Sequence, residues 1–362
     1  MIKLFRALLL TGLAMSVATG AVVEERKPPA RVAAKSGVAG QDMLSVMTYN
    51  VKGLAWPIAW GRDDALARIG DRLAAMRREG QQPHILLLQE AFTPQAAAIA
   101  RRASYAHIVA GPDVGMRSPV PAPPAASAFL AAPRWDRGEQ MGKQMGSGLL
   151  ILSDYPVIGV DRLAFPDFAC AGVDCMANKG VLIAHLAVPG FARPVSVVNT
   201  HLNARKAALV DIARSQDAFA RQADLVSRFV SDHVPHDHLL VLGGDMNIGG
   251  DADRKKAFFA AFAARGMDFV TPALGAAQRA LVQGALPDQD TRRDLTHAVN
   301  HGKDWLFARD ASGRAMPVAQ AQVPFGTEPQ GAPLSDHFGY AIAFAPDAEP
   351  PMRFASAAGA RR

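Results

Sequence analysis

A mixed α/β fold is what this sequence predicts, on two observations. Short apolar runs rich in branched residues recur along the chain, each of strand length, and amphipathic helical stretches lie between them. No internal repeat is present. With 49% hydrophobic and 20% charged residues in 362, the chain has the balance of a globular protein with a sizeable core.

The elements follow in order. Lys3 and Arg6, the apolar stretch Ala7 to Met15 and the small residues Ser16 to Ala21 have the three-part layout of a secretory signal, with cleavage expected near Ala21. An uncleaved anchor ranks second, because Arg6 and Thr11 interrupt a segment already short for a bilayer. Residues 22–42 are rich in Pro, Ala, Lys and Arg without apolar period and read as a tether. The folded domain is expected over residues 43–346, followed by a disordered Ala-rich tail at 347–362. Strands are expected at Leu44–Val51, Ile85–Leu88, Leu149–Leu152, Val181–Leu186, Val195–Val198, Leu239–Leu242 and Trp305–Phe307.

Helices are expected where apolar residues recur at helical steps: Leu66, Ile69, Leu73 and Met76, then Ile212, Phe219, Ala223, Val226 and Val230, then Phe258, Phe259 and Phe262. The long Pro-rich insert from Pro112 to Gly146 reads as a surface loop. Its Phe129, Leu130, Trp135 and Met residues suit contact with lipid, and plain disorder is the equal alternative. Cys170 and Cys175 sit in a loop, where an exported compartment permits a disulfide that spacing alone does not establish. The net charge of +6 is a mild bias towards anionic partners, phospholipid or nucleic acid. The pairs Arg77-Arg78, Arg205-Lys206 and Lys255-Lys256 read as solvated faces.

Four apolar runs end in a residue able to bind a metal or move a proton: Asn50, Glu90, His201 and Asp245. Each alone has an ordinary explanation as a turn former, cap or interior histidine; their joint order is what points to a site. Other candidates are weaker. His233, His236 and His238 read as loop histidines, and His297 and His301 share a helical spacing without the Glu of a zinc-protease pattern. Ser147 lacks a nucleophile elbow and reads as the start of a strand.

Thr48-Tyr49-Asn50-Val51, Gln89-Glu90, Ser147 to Ser153, Asn199-Thr200-His201-Leu202-Asn203, Gly244-Asp245-Met246-Asn247, Asp304-Trp305-Leu306-Phe307 and Ser335-Asp336-His337-Phe338 resemble, in order, the motifs of the endonuclease/exonuclease/phosphatase (DNase I-like) superfamily, and in particular its bacterial sphingomyelinase-like members. The resemblance implies a four-layer α/β sandwich, two mixed sheets face to face with helices outside. It further implies Mg²⁺, with Mn²⁺ as substitute, held by Glu90 with help from Asn50, an oxygen pair suited to a hard cation. Asp245 would orient and help deprotonate the attacking water. Asn247 and His201 would hydrogen-bond the non-bridging phosphate oxygens. His337 would be the general base or a proton partner, oriented by Asp304 as first choice, with Asp336 contacting metal or helping to hold the site.

The implied reaction is hydrolysis of a phosphoester. Export, and the segment Asp174 to Val181 with Lys179 set to meet phosphate or solvent, favour a sphingomyelinase-like phosphodiesterase. A DNase I-like nuclease and a phosphomonoesterase on inositol phosphates are the alternatives, and a catalytically dead binding module ranks last. The expected location is periplasmic or secreted, with peripheral membrane contact and no obligate protein partner.

Overall fold

The computed structural model describes residues 43–55 and 58–345; the expected signal, tether and tail lie outside them. Among the described residues eleven strands form two mixed sheets. The first contains β1 (Leu44–Asn50), β2 (Ile85–Gln89), β3 (His107–Ala110), β4 (Leu150–Ser153), β10 (Val318–Phe325) and β11 (Gly339–Phe344), in the order β10-β11-β1-β2-β4-β3. The second contains β5 (Val157–Ala164), β6 (Gly180–Leu186), β7 (Val195–His201), β8 (Leu239–Asp245) and β9 (Asp304–Arg309), in sequence order.

Each sheet has one parallel pair at its heart. β1 runs parallel to β2 through helix α1 (Arg62–Arg78), and β7 runs parallel to β8 through α4 (Ile212–His233). Parallel neighbours need such a crossover, and strands covered on both faces read as continuous apolar runs. That is why all seven expected runs are strands. The four that escaped sequence reading lack such a run for physical reasons. β3, β5 and β10 are sheet edges that expose much of their length, and β10 carries Pro324. β11, Gly-Tyr-Ala-Ile-Ala-Phe, alternates the buried Tyr340, Ile342 and Phe344 with small residues and so shows no continuous branched run.

Three buried clusters define four layers. Leu87, Ile151, Leu182, Val197, Val241, Leu306 and Ile342 lie between the sheets, and α6 (Ala276–Gln283) and α7 (Gln289–His301) add Ala277 and Leu295 to that core. Leu66, Ile69 and Leu73 of α1 and Ile99 of α2 (Pro94–Arg102) cover the first sheet. Phe219, Val226 and Val230 of α4 and Phe258 and Phe262 of α5 (Ala252–Ala263) cover the second. The expected four-layer sandwich is the observed one. Polar contacts pin its seam: Asn199 Nδ2 donates to the carbonyls of Leu88 and Leu150 at 2.9 Å each, and Gln89 Nε2 donates to Asn199 Oδ1 at 2.8 Å.

The insert is structured, which overturns its reading as plain disorder. It holds a short helix α3 (Ser127–Ala131) whose Phe129 ring lies 3.8 Å beneath the Arg214 guanidinium of α4. Arg214 also grips Glu139 through two bonds of 2.7 and 2.6 Å. Cys170 and Cys175, beside this insert, form a disulfide. No helix among the described residues is long and apolar enough to cross a membrane.

Candidate active site

Register converts the four strand ends into one site. Asn50 stands opposite Gln89, so Glu90 leaves β2 one step beyond it. In the other sheet His201 stands opposite Asp245, and antiparallel β9 places Asp304 on the far side of Asp245. The carboxyl ends of the two parallel pairs thus face one mouth, where open α/β sheets bind ligands. Gly244 just before Asp245 permits this approach: its φ is +135°, and a Cβ there would lie 2.0 Å from the Thr200 carbonyl oxygen. Ser335, ahead of β11, donates its hydroxyl to the Asn50 carbonyl at 2.7 Å and so brings His337 over the mouth.

Two non-glycine residues of the site, Glu90 at φ +54° and Asn247 at φ +49°, hold left-handed backbone conformations. Such strain persists only where surroundings enforce it. The Gly53 amide donates to the Glu90 carbonyl at 2.9 Å, and the Asn247 amide donates to Asp245 Oδ1 at 2.9 Å. Arg254 completes the second turn. Fully buried on α5 with its guanidinium 4.3 Å from the Phe219 ring, it donates to the carbonyls of Asn203 and Asn247 at 2.7 and 2.8 Å.

Asn50 Nδ2 donates to both Glu90 Oε1, at 2.9 Å, and Asp245 Oδ2, at 3.0 Å, while its Oδ1 accepts from the Lys52 amide at 3.0 Å. Two shielded carboxylates therefore converge on one weakly positive group. Burial pushes the Glu90 carboxyl up, against the opposing pull of the Asn50 amide and the Lys179 charge. Asp245 is also buried, but the His337 imidazolium and its hydrogen bonds outweigh that and hold it well below the usual carboxylate range. Ligand atoms of Glu90, His201 and Asp245 lie within 4.8 Å of one another. Hard oxygens around a spot that asks for positive charge fit Mg²⁺.

His337 Nδ1 donates to Asp304 Oδ2 at 2.7 Å, and its Nε2 lies 3.7 Å from Asp245 Oδ2. Burial opposes the charged ring, yet Asp304 and Asp245 together push its pKa up to about 10. Tyr340 Oη anchors the pair by donating to the Asp304 carbonyl at 3.0 Å. Asp304 is thus the orienting carboxylate. Asp336 turns outward instead, to a half-exposed ion pair with Lys52 Nζ at 3.1 Å on the rim.

His201 has its Nε2 already engaged, which leaves Nδ1 as the nitrogen that can donate. Lys179 Nζ donates to His201 Nε2 at 3.2 Å, and burial together with that ammonium pushes the ring's pKa down to about 3. Its Nδ1 is buried with no partner. Lys179 is itself buried, held by Asp174 Oδ2 at 2.9 Å and the Leu202 carbonyl at 3.2 Å, which rules out the solvated reading. Asn247 spends one amide hydrogen on the Leu202 carbonyl at 2.9 Å and keeps a second.

Sequence reasoning missed three neighbours. His301 ends α7 with its ring centroid 5.3 Å from that of His337, so it flanks the site it was set apart from. Arg254 acts through backbone carbonyls, a role that leaves no pattern in sequence, and Ser335 stood in a quoted motif without its bond to the Asn50 carbonyl being legible there. His301 had a signal of its own, its position three residues before Asp304.

The chain matches the Endonuclease/Exonuclease/phosphatase family over residues 47–337. No curated protein sequence matches it significantly. Among solved structures it is similar to SmcL, with TM-score 0.55 and 17% identity over 84% of this chain and 99% of that one. A beta toxin from Staphylococcus aureus solved with bound magnesium ions gives 0.55 and 17% over 84% and 100%. Sphingomyelinase C from Streptomyces griseocarneus gives 0.52 and 19% over 84% and 99%. With its motifs in order, its four-layer sandwich and a family match that spans most of its length, the chain belongs to the endonuclease/exonuclease/phosphatase family of phosphoesterases.

Proposed function

We propose that this protein is an exported, Mg²⁺-dependent phosphodiesterase acting on a sphingomyelin-type phospholipid. The observation that carries the chemistry is the convergence of Glu90 and Asp245 on Asn50 beside the Asp304–His337 pair. Glu90, with Asp245 close by, would hold the cation. Asn50, whose NH₂ faces both carboxylates, would present its amide oxygen only after turning from Lys52. Bound there, Mg²⁺, or Mn²⁺ in its place, supplies positive charge to the phosphate oxygens.

The chain's own groups do the rest. Asp245 orients a water and is the anionic atom beside it that accepts a proton. His337 keeps a proton at Nε2, available to an oxygen that gains negative charge in the transition state. The two titrate as a unit, so the water's proton belongs to the pair. Asn247 offers its second amide hydrogen to a non-bridging oxygen.

The lipid substrate is supported by the likeness of fold to Sphingomyelinase C from Streptomyces griseocarneus and by exposed Leu130, Trp135 and Met141 on the insert. Export is supported by the layout of residues 1–21 and by the Cys170–Cys175 disulfide, a bond that persists in oxidising compartments. N-terminal sequencing of the protein recovered outside the cytoplasm should begin just past Ala21.

The deciding experiment is a panel of sphingomyelin vesicles, single- and double-stranded DNA and an inositol phosphate, each with Mg²⁺ and after chelation. Sphingomyelin turnover lost with EDTA and restored by Mg²⁺ is expected. Turnover of DNA alone would replace the lipid by a nucleic acid, and turnover that survives thorough chelation would remove the metal from the mechanism.

A further inference from the structure

We propose that His301, Asp304 and His337 form a second metal site, selective for Zn²⁺ over Mg²⁺, whose occupation switches the enzyme off. The inhibition rests on the hydrolytic reading above; the binding does not.

One ligand-capable atom from each of the three residues lies within 4.8 Å of the others. Asp304 Oδ1 is buried and has no hydrogen-bond partner. A buried carboxylate oxygen left unpaired is costly, and a bound cation is one of the few groups that removes the cost. His301 is only half-buried, so an ion has a route from solvent past its ring.

The donor types separate this cluster from the neighbouring one. Two imidazoles and one carboxylate, with a fourth place open to water, are zinc ligands. At the other cluster, His201 Nε2 already accepts from Lys179 at 3.2 Å, which leaves the oxygens of Glu90 and Asp245 and suits a hard ion.

The backbone beneath the cluster is fixed. α7 closes on Gly302, whose φ is +66° and whose amide donates to the Ala298 carbonyl at 3.0 Å. The Gly302 carbonyl accepts from Trp305 Nε1 at 2.8 Å and from the Gly249 amide at 2.9 Å. Bond lengths of 2.0–2.1 Å put tetrahedral zinc ligands roughly 3.3 Å apart. Reaching that size requires the three side chains to draw together from the 4.8 Å within which their ligand atoms now lie.

Zinc bound here takes Nδ1 of His337, whose proton leaves to solvent, and an oxygen of Asp304. The 2.7 Å bond between those residues is then lost, and with it the orientation of the His337 ring. Because Glu90 is not a ligand, excess Mg²⁺ does not compete.

The test uses the full-length protein, stripped with EDTA and returned to saturating Mg²⁺, then titrated with ZnCl₂ by calorimetry and by turnover of the substrate found in the panel. Wild type should bind one Zn²⁺ equivalent and lose turnover along the same curve. His301→Ala and His301→Gln, checked by circular dichroism, should keep basal turnover, bind one equivalent fewer and need at least about tenfold more zinc for the same inhibition. Unchanged zinc binding in both variants, or relief of inhibition in proportion to added Mg²⁺, would overturn the proposal. If no substrate is turned over at all, the calorimetric difference between wild type and variants still decides whether the site exists.

Discussion

Asp245 gathers the polar contacts of the site: Asn50 donates to it, and the rings of His201 and His337 stand 3.4 and 3.7 Å from one of its oxygens. Removing its charge, or the His337 ring, takes away the water's partner without touching the apolar layers. Asp245→Asn and His337→Gln should each lower turnover by about 10²–10⁴, the usual weight of proton transfer and charge stabilisation, in protein whose circular dichroism shows the fold retained. Near-normal turnover in either would sink the assignment. Glu90 makes a subtler case. Burial raises its pKa, so the fold disfavours its charged form and loses stability as the pH climbs from the ordinary carboxylate range up through that raised pKa. In the absence of metal, Glu90→Gln should therefore melt higher than wild type at neutral pH, with the gap closing in acid. Mg²⁺ should raise the wild-type melting temperature and leave the variant's unchanged. A variant that melts lower at neutral pH would contradict the desolvation account.

At the scale of elements, the insert departs furthest from what its composition suggests. Proline and small residues read as a loop, yet Phe129 and Glu139 clamp it to Arg214 on α4, a partner 75 residues from Glu139 in sequence. Deleting it would strip Arg214 of its carboxylate, so a point change tests it more cleanly. Trp135, 64% exposed, should contribute to vesicle binding through its buried area on insertion. Trp135→Ala should reduce turnover on vesicles about tenfold while sparing a soluble substrate. Equal loss on both would end the membrane role. The strands show the same division between local and distant causes. β1, β2, β4, β6, β7, β8 and β9 were legible because burial on both faces writes a continuous apolar run into sequence. β3, β5 and β10 were not, because each is an edge left exposed along much of its length, unlike the edge strand β9, which is buried.

Across the whole molecule, charge buried at the seam links stability to pH. The His337 pKa stands at about 10 against an ordinary 6.5, held up by Asp304 and Asp245. A raised pKa contributes stability that is fully present below about 6.5 and is lost as the pH climbs through about 10. The urea midpoint of the metal-free protein should fall across that window, and His337→Gln should flatten the fall. A wild-type midpoint that stays level from neutral to pH 10 would show that the ring is not charged in the fold.

Local sequence encodes the residue types proposed for the chemistry and the strand ends that carry them. A chain ending four apolar runs in Asn50, Glu90, His201 and Asp245 encodes that locally, and the ordered motifs add Asn247, Asp304, Asp336 and His337. Only the tertiary structure decided how they divide. Asp304, not Asp336, orients His337, because β9 pairs with β8 at Asp245 while Asp336 turns out to Lys52. The His201 ring receives the Lys179 ammonium, Arg254 holds the Asn247 turn from beneath, and His301 stands beside His337. Such contacts join residues whose separation is set by sheet register and helix packing, and no local pattern records a register.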